Sequence, residues 1–335
     1  MRHIAGDEID AVLDFPALVD ALCAAFGGGF FAPARHHHAI DRPGENAATH
    51  LLMPAWTLPA LDAAAYIGTK LVNVFPDNNR RGLPTVFGLY ALQSGVTGQT
   101  LATLDGTRLT HWRTAAASAL AARFLARADA TKLLIVGAGA LAPYLARAHA
   151  SVRPIDSIAV WNHRRAGAEK MAQGLGAYGF RAHVADDLAQ AVGRADIVSC
   201  ATLATAPLIA GNWLREGQHV DLVGAFNLAM REVDDAALRR ARIFVDTPAA
   251  LVEGGDVAIG LSSGAVDRAD IVADLAALCA GAPGRRSAGE ITLFKSVGAS
   301  IEDLAAAILV WKKVAEKERP PAATLASPAL TPQLS

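Results

Sequence analysis

KLLIVGAGALAPYLARA, residues 132–148, places a strand, a glycine turn and a helix in one short run. KLLIV is apolar and β-branched. Gly137 permits a tight turn, and Gly139, with no side chain, lets a ligand approach the backbone. The helix that follows presents free N–H groups and the positive end of its dipole, which favour an anion. The third fingerprint position is Ala142, small enough for close packing of helix on strand. The GAGALA turn, with Ala140 and Leu141 between the second glycine and that alanine, therefore predicts a dinucleotide pyrophosphate site.

The surroundings strengthen that reading. SIAVWN, RAHVA, DIVSCAT, HVDLVGA and RIFVDT are further short β-rich runs, and segments such as RRAGAEKMAQGL and DDLAQAVGRA lie between them. Strand–helix alternation of this length predicts a parallel, doubly wound α/β sheet. The second strand ends in WNHRR, residues 161–165, without the acid that usually holds a ribose 2′-hydroxyl in NAD sites. Asn162 can bond a ribose or phosphate oxygen, His163 lies beside it, and Arg164 or Arg165 can pair with a 2′-phosphate. This predicts NADPH as the preferred cofactor, with NADH also usable; the alternative for the arginines is a solvated helix start.

The segment before this region has a different rhythm. Asp14 caps a first helix with Pro16 in its first turn, Phe15, Leu18, Val19, Leu22 and Phe26 recur at helical spacing, and Gly27-Gly28-Gly29 ends it. ARHHHAI, THLLMPAW, YIGTKLVNVF, TVFGLYAL and QTLATLD then predict an antiparallel sheet or partial barrel. A long helix follows, from about Leu109 to Ala126. After the strand-rich region, ITLFKSVGASIEDLAAAILVWKKVAEKE reads as a strand and a long helix that returns to the first sheet. The expected organisation is a discontinuous α+β domain (1–125 and 299–319), a dinucleotide-binding domain (126–298) and a Pro-rich, disordered tail (320–335).

Composition bounds the function. The 335 residues are 52% hydrophobic and 19% charged with a net charge of −1, which suits a large core and disfavours nucleic acid or anionic membrane as a partner. Cys23, Cys200 and Cys279 show no zinc or redox spacing, which fits a reducing compartment. The start has no signal-peptide core, and the longest clean apolar run, Leu304 to Trp311, is too short to span a bilayer. A cytoplasmic protein is expected.

Several basic residues stand where they need a reason. In ARHHHAI, Arg35 and His37 share one strand face, and His36 and His38 the other. Adjacent strand positions diverge, so no metal site is expected there, and a polar sheet face explains His36 and His38. Lys70 interrupts an apolar strand, where burial without a partner is costly. Arg113 lies toward the unfavourable end of an apolar helix. Singly, each reads as a surface charge; beside a dinucleotide fold, together they read as a carboxylate site.

RTAAASALAARFLA, GAGALA, VWN, TLATAP, VGAF and FKSVGASIED occur in this order, and the chain from the PARHHH strand to the helix after FKSVG resembles the ornithine cyclodeaminase/mu-crystallin family. RHHHAI, LLMPAW and VGAFNLAMRE look most like its bacterial Δ1-pyrroline-2-carboxylate (ketimine) reductases. The resemblance implies a homodimer formed through the N-terminal sheet, a Rossmann domain, and an active site between the two. It implies a substrate carboxylate held by residues matching Arg35, Lys70 and Arg113. It also implies dinucleotide contacts from the GAGALA turn, Asn162 and its neighbours, Thr202, Leu203, Val223 and Lys295.

Two departures from the cyclodeaminase pattern carry the substrate reading. Leu51 and Phe226 stand where true cyclodeaminases carry acids, so the pocket suits a small cyclic imino acid that lacks a second amine. The expected reaction is hydride transfer to Δ1-pyrroline-2-carboxylate or Δ1-piperideine-2-carboxylate, with Lys70 or His37 as proton donor. Ornithine cyclodeamination, alanine dehydrogenation and non-catalytic NADPH-dependent binding are the alternatives.

Overall fold

The computed structural model describes residues 1–58 and 65–318, which form two sheets and their covering helices. The first sheet contains β1 (Arg2–Ile4), β2 (Phe30–Phe31), β3 (His36–Ile40), β4 (Ala48–Thr57), β5 (Tyr66–Val74), β6 (Val86–Ser94) and β7 (Thr100–Asp105), in the order β1-β7-β6-β5-β4-β2 with β3 also on β4. The expected strands pair antiparallel. The N-terminal β1 pairs parallel with β7, an addition that no turn or alternation in so short a run announces.

α1 (Gly6–Val12), α2 (Phe15–Gly27) and α3 (Gly106–Leu125) pack with this sheet. The α2 start is as expected: Asp14 accepts a hydrogen bond from the Ala17 N–H at 2.8 Å. α3 begins three residues earlier than its apolar pattern, because Asp105 supplies the cap by accepting from the Arg108 N–H at 2.9 Å.

The second sheet is wholly parallel. It contains β8 (Lys132–Val136), β9 (Ser157–Trp161), β10 (Ala182–Val184), β11 (Ile197–Cys200), β12 (His219–Leu222), β13 (Arg242–Val245), β14 (Ile271–Asp274) and β15 (Thr292–Lys295). Its order is β10-β9-β8-β11-β12-β15-β13-β14, so the chain reverses direction between β8 and β11. Ligands of open α/β sheets sit at the carboxyl ends of such a reversal. The helices are α4 (Ala142–Val152), α5 (Arg165–Gly176), α6 (Leu188–Arg194), α7 (Asp235–Arg240), α8 (Ala250–Glu253), α9 (Gly255–Ser263) and α10 (Leu275–Cys279). The last helix, α11 (Ser300–Glu318), leaves this sheet and packs on α2, α3, β4 and β5. The proline-rich tail lies outside the described residues.

A buried polar knot ties α3 to the parallel sheet. Asp221 on β12 is fully buried and accepts from Ser118 at 2.9 Å and Ser199 at 2.6 Å, with His149 of α4 at 3.2 Å. Removing the carboxylate leaves its partners without an acceptor in an apolar setting. Asp221→Ala is expected to lower the unfolding free energy by about 3–5 kcal/mol in urea titration. A loss below about 1 kcal/mol would show that the knot contributes little.

Candidate functional site

The parallel sheet carries a groove of about 770 Å3 at the carboxyl ends of β8, β9 and β11. Gly137 and Gly139 line its floor, Asn162, His163 and Arg164 one wall, and Thr202 and Leu203 the other. Gly137 has φ +105°, and a Cβ there would come within 2.6 Å of the Ala201 carbonyl, so the turn requires glycine. Gly139 meets no such obstruction, which leaves the backbone open before α4. Asn162 donates to the Arg164 carbonyl at 2.8 Å and so shapes its own loop.

The basic wall differs in part from expectation. Arg165 points away from any ligand role: it pairs with Glu169 at 2.8 Å and with Asp186 on the surface. Lys170, one helical turn further on, lines the groove beside Arg164. Sequence reading passed over Lys170 because it sits mid-helix, but helical spacing brings it back to the loop that starts α5.

Two other expected cofactor contacts lie behind the groove. Lys295 is fully buried, 3.4 Å from Asp256, and donates to the Leu222 carbonyl at 3.3 Å; its side chain supports the strand ends and does not reach the surface. Val223 is buried in the core at the end of β12. The group that organises these strand ends is Glu232, the last residue of VGAFNLAMRE, to which the sequence assigned no role of its own. It accepts from the Thr202 N–H and hydroxyl at 2.8 Å each, and from the Gly224 and Ala225 N–H groups at 2.8 and 3.3 Å. Burial pushes its pKa up to about 6, against the opposing pull of Lys295.

The expected carboxylate-binding residues converge near the return helix. Lys70 lies directly opposite Met53 and Tyr90 in the first sheet, on its inner face, and is 2% exposed. Leu51 and His37 are opposite one another on that same face, Leu51 half-buried and His37 exposed at the edge. Lys70 Nζ is 2.8 and 3.0 Å from the two Asp303 carboxylate oxygens and 3.4 Å from the Thr110 hydroxyl. Arg113 Nε donates to Asp303 at 3.0 Å and Nη1 to Glu302 at 2.7 Å. Arg35 pairs with Glu253 at 2.9 Å and donates to the Val297 and Gly298 carbonyls, which joins the first sheet to the second.

The loop between β15 and α11 is built for this contact. Gly298 has φ +80°, and a Cβ there would collide with the Arg113 guanidinium. Asp246 holds the loop by accepting from the Val297 and Gly298 N–H groups at 2.7 Å each.

The electrostatics place a titrating lysine here. Burial lowers the Lys70 pKa from 10.5 to about 8, and the neighbouring Arg113 charge adds to this while Asp303 opposes it. Burial works against the Arg113 charge, but Asp303 and Glu302 outweigh it and hold its pKa above the ordinary value. Burial raises Glu302 to about 7, against the pull of Arg113. A weak acid near neutrality and a fixed cation therefore lie side by side, which is what proton delivery to an anionic substrate requires.

Phe226 follows the end of β12 and is 47% exposed, so it is not a core residue. Leu203, at 72%, is a further exposed apolar side chain at these strand ends. Among the described residues, no cluster of histidine, cysteine and carboxylate groups could hold a metal; His36 and His38 are exposed with ring centroids 6.3 Å apart. Among the described residues, no helix is long and apolar enough to cross a membrane.

The sequence profile of the ornithine cyclodeaminase/mu-crystallin family matches residues 46–318. A Δ1-pyrroline-2-carboxylate reductase of Colwellia psychrerythraea (strain 34H) is 36% identical over 325 residues, covering 94% of this chain and all of the relative. The structure of Thermococcus litoralis Δ1-pyrroline-2-carboxylate reductase with NADH and L-proline has a TM-score of 0.87 at 32% identity, covering 95% of this chain and 98% of the other. An archaeal alanine dehydrogenase dimer with bound NAD has a TM-score of 0.86 at 29% identity, covering 96% and 98%.

The glycine turn offers a direct check on the groove. Gly137→Ala introduces both the collision with Ala201 and a strained backbone of about 1–3 kcal/mol. Dinucleotide affinity, read by quenching of intrinsic fluorescence, is expected to fall roughly 10-fold or more. Unchanged affinity would separate the groove from dinucleotide binding.

Proposed function

Because the chain belongs to the ornithine cyclodeaminase/mu-crystallin family, we propose that it is an oxidoreductase that reduces cyclic ketimine carboxylates with a nicotinamide cofactor. The substrates are Δ1-pyrroline-2-carboxylate, giving L-proline, and Δ1-piperideine-2-carboxylate, giving L-pipecolate. The observation that carries this reading is the buried Lys70–Arg113 pair sharing Asp303, in a chain whose parallel sheet also carries the glycine-turn groove, with Leu51 and Phe226 supplying no acid for a second substrate amine. The reductases among its relatives support it.

In this reading the cofactor, held by the Gly137–Gly139 turn and the wall of Asn162, His163 and Arg164, supplies a hydride. Arg113 binds the substrate carboxylate. Arg35 joins it by exchanging Glu253 for the substrate. Lys70 gives a proton to the ring nitrogen, and His37, exposed at the sheet edge, is the second donor candidate. Arg164 and Lys170, with no acid among the groove's lining residues, favour NADPH over NADH. The protein works as a homodimer through the first sheet, whose exposed Phe31, Trp56, Phe87 and Leu89 need a cover.

The pH behaviour follows from Lys70. It is charged below about 8, so reduction is full there and declines as pH rises through that value. Holding this charge in the interior costs stability below about 8, and that cost is relieved as pH rises toward 10.5.

The test is NADPH and NADH oxidation with the two imines side by side, against pyruvate plus ammonia, and ammonia release from L-ornithine with NAD+. Imine reduction with a high-pH limb near 8, and a loss of roughly 10²–10⁴-fold in kcat for Lys70→Met, is expected. Ammonia release without imine reduction would make the protein a cyclodeaminase. Tight cofactor binding without any turnover would make it a binding protein.

A further inference from the structure

The motif FKSVGASIED contributes two fully buried acids, Glu302 and Asp303, whose function the reductase reading leaves open. Their partners differ. Glu302 meets Arg113 alone, at 2.7 Å. Asp303 meets both cations: Lys70 Nζ at 2.8 and 3.0 Å, and Arg113 Nε at 3.0 Å. One carboxylate thus fixes the separation of the two groups that would handle substrate nitrogen and substrate carboxylate.

We propose that Asp303 is a positioning residue for the reduction, holding Lys70 charged and aimed at the substrate nitrogen while it presents Arg113 to the substrate carboxylate. This rests on the ketimine reductase reading. In the step it serves, hydride leaves the cofactor for the imine carbon, and a proton leaves Lys70 Nζ for the imine nitrogen. The C=N bond becomes a C–N single bond with one new C–H and one new N–H; the cofactor is oxidised, and neutral Lys70 recovers its proton from water. Asp303 keeps its contact with Arg113 through the step and takes no part in the proton transfer.

The surroundings of Lys70 leave this work to Asp303. From α11 it faces Asp303, with Glu302 beyond; from α3, the Arg113 cation and the Thr110 hydroxyl; from β6, the Tyr90 ring opposite it. Burial and Arg113 both drive the proton off, and Thr110, at 3.4 Å, is a weak neutral partner. Asp303 is the one anion in direct contact with the amine among the described residues. A purely structural Asp303, needed only to neutralise the core, would affect folding and leave the proton equilibrium of the site where it is.

Asp303→Asn keeps the shape and removes the charge. Lys70 is followed by the Cε–Hε signal of 13C-lysine-labelled protein, assigned by its loss in Lys70→Arg. We expect its midpoint, and the high-pH limb of the reductive kcat/KM, to move down together by about one to three pH units. Midpoints that stay in place in a folded Asp303→Asn protein overturn the inference. If that variant does not fold, the wild-type titration decides. A Lys70 midpoint near 8 supports the role, and one at about 5–6, typical of a buried lysine without an anion, overturns it. Should the wild-type protein reduce no imine, the functional reading fails on its own assay, while the Lys70 signal still reports on Asp303.

Discussion

The structure depends on one buried constraint: two cations from different elements share a carboxylate from a third. Lys70 comes from β5, Arg113 from α3 and Asp303 from α11. An unpaired charge in such a place costs several kcal/mol, so neither cation can be buried until α11 docks. The chain must therefore leave the parallel sheet after β15 and return to the first sheet. That return runs the Val297–Gly298 loop between the two sheets, where Asp246 holds its N–H groups and Arg35 meets its carbonyls. The contact between the two sheets at this loop is thus a consequence of satisfying charge.

The parallel sheet was legible because its signals are local. Strand, glycine turn and helix follow one another within a few residues, and Gly137 does adopt the positive φ that the motif requires. Lys70 was legible for a different reason: a cation in an apolar strand demands a partner. The partner itself was not, since Asp303 is 233 residues away and only the tertiary fold brings it near. Glu232 was hidden similarly, because the donors it gathers lie on two separate loops that only the fold brings together. Lys295, expected as a cofactor contact, has its amine directed at Asp256 and the Leu222 carbonyl. The β14 strand, IVAD, was too short and too close to its helix to stand out.

The two acidic arrangements behind the cleft do opposite work with similar chemistry. Glu232 gathers N–H groups from two strand ends and so fixes backbone, whereas Asp303 gathers two side-chain cations and so fixes charge. Both sit out of water, where salt screens weakly, unlike the exposed set in which Arg165 and Glu169 of α5 meet Asp186 of the loop after β10. High salt should therefore weaken that surface set and leave the frame of the cleft intact.

Protons act on the same frame more strongly than salt, and their effects oppose one another. Burial raises Glu232 from 4.5 to about 6 and Glu302 from 4.5 to about 7, so the folded protein holds extra protons in that range. Their contribution to stability falls as pH rises through it. Burial lowers Lys70 from 10.5 to about 8, so between those values the unfolded chain holds the extra proton and the contribution of Lys70 rises with pH. Near neutrality these opposing trends meet, and the desolvation cost of the charged groups is offset by their ion pairs. The buried ion pairs with Asp303 and Glu302 are what offset the cost of holding charge at Lys70 and Arg113 in the folded state.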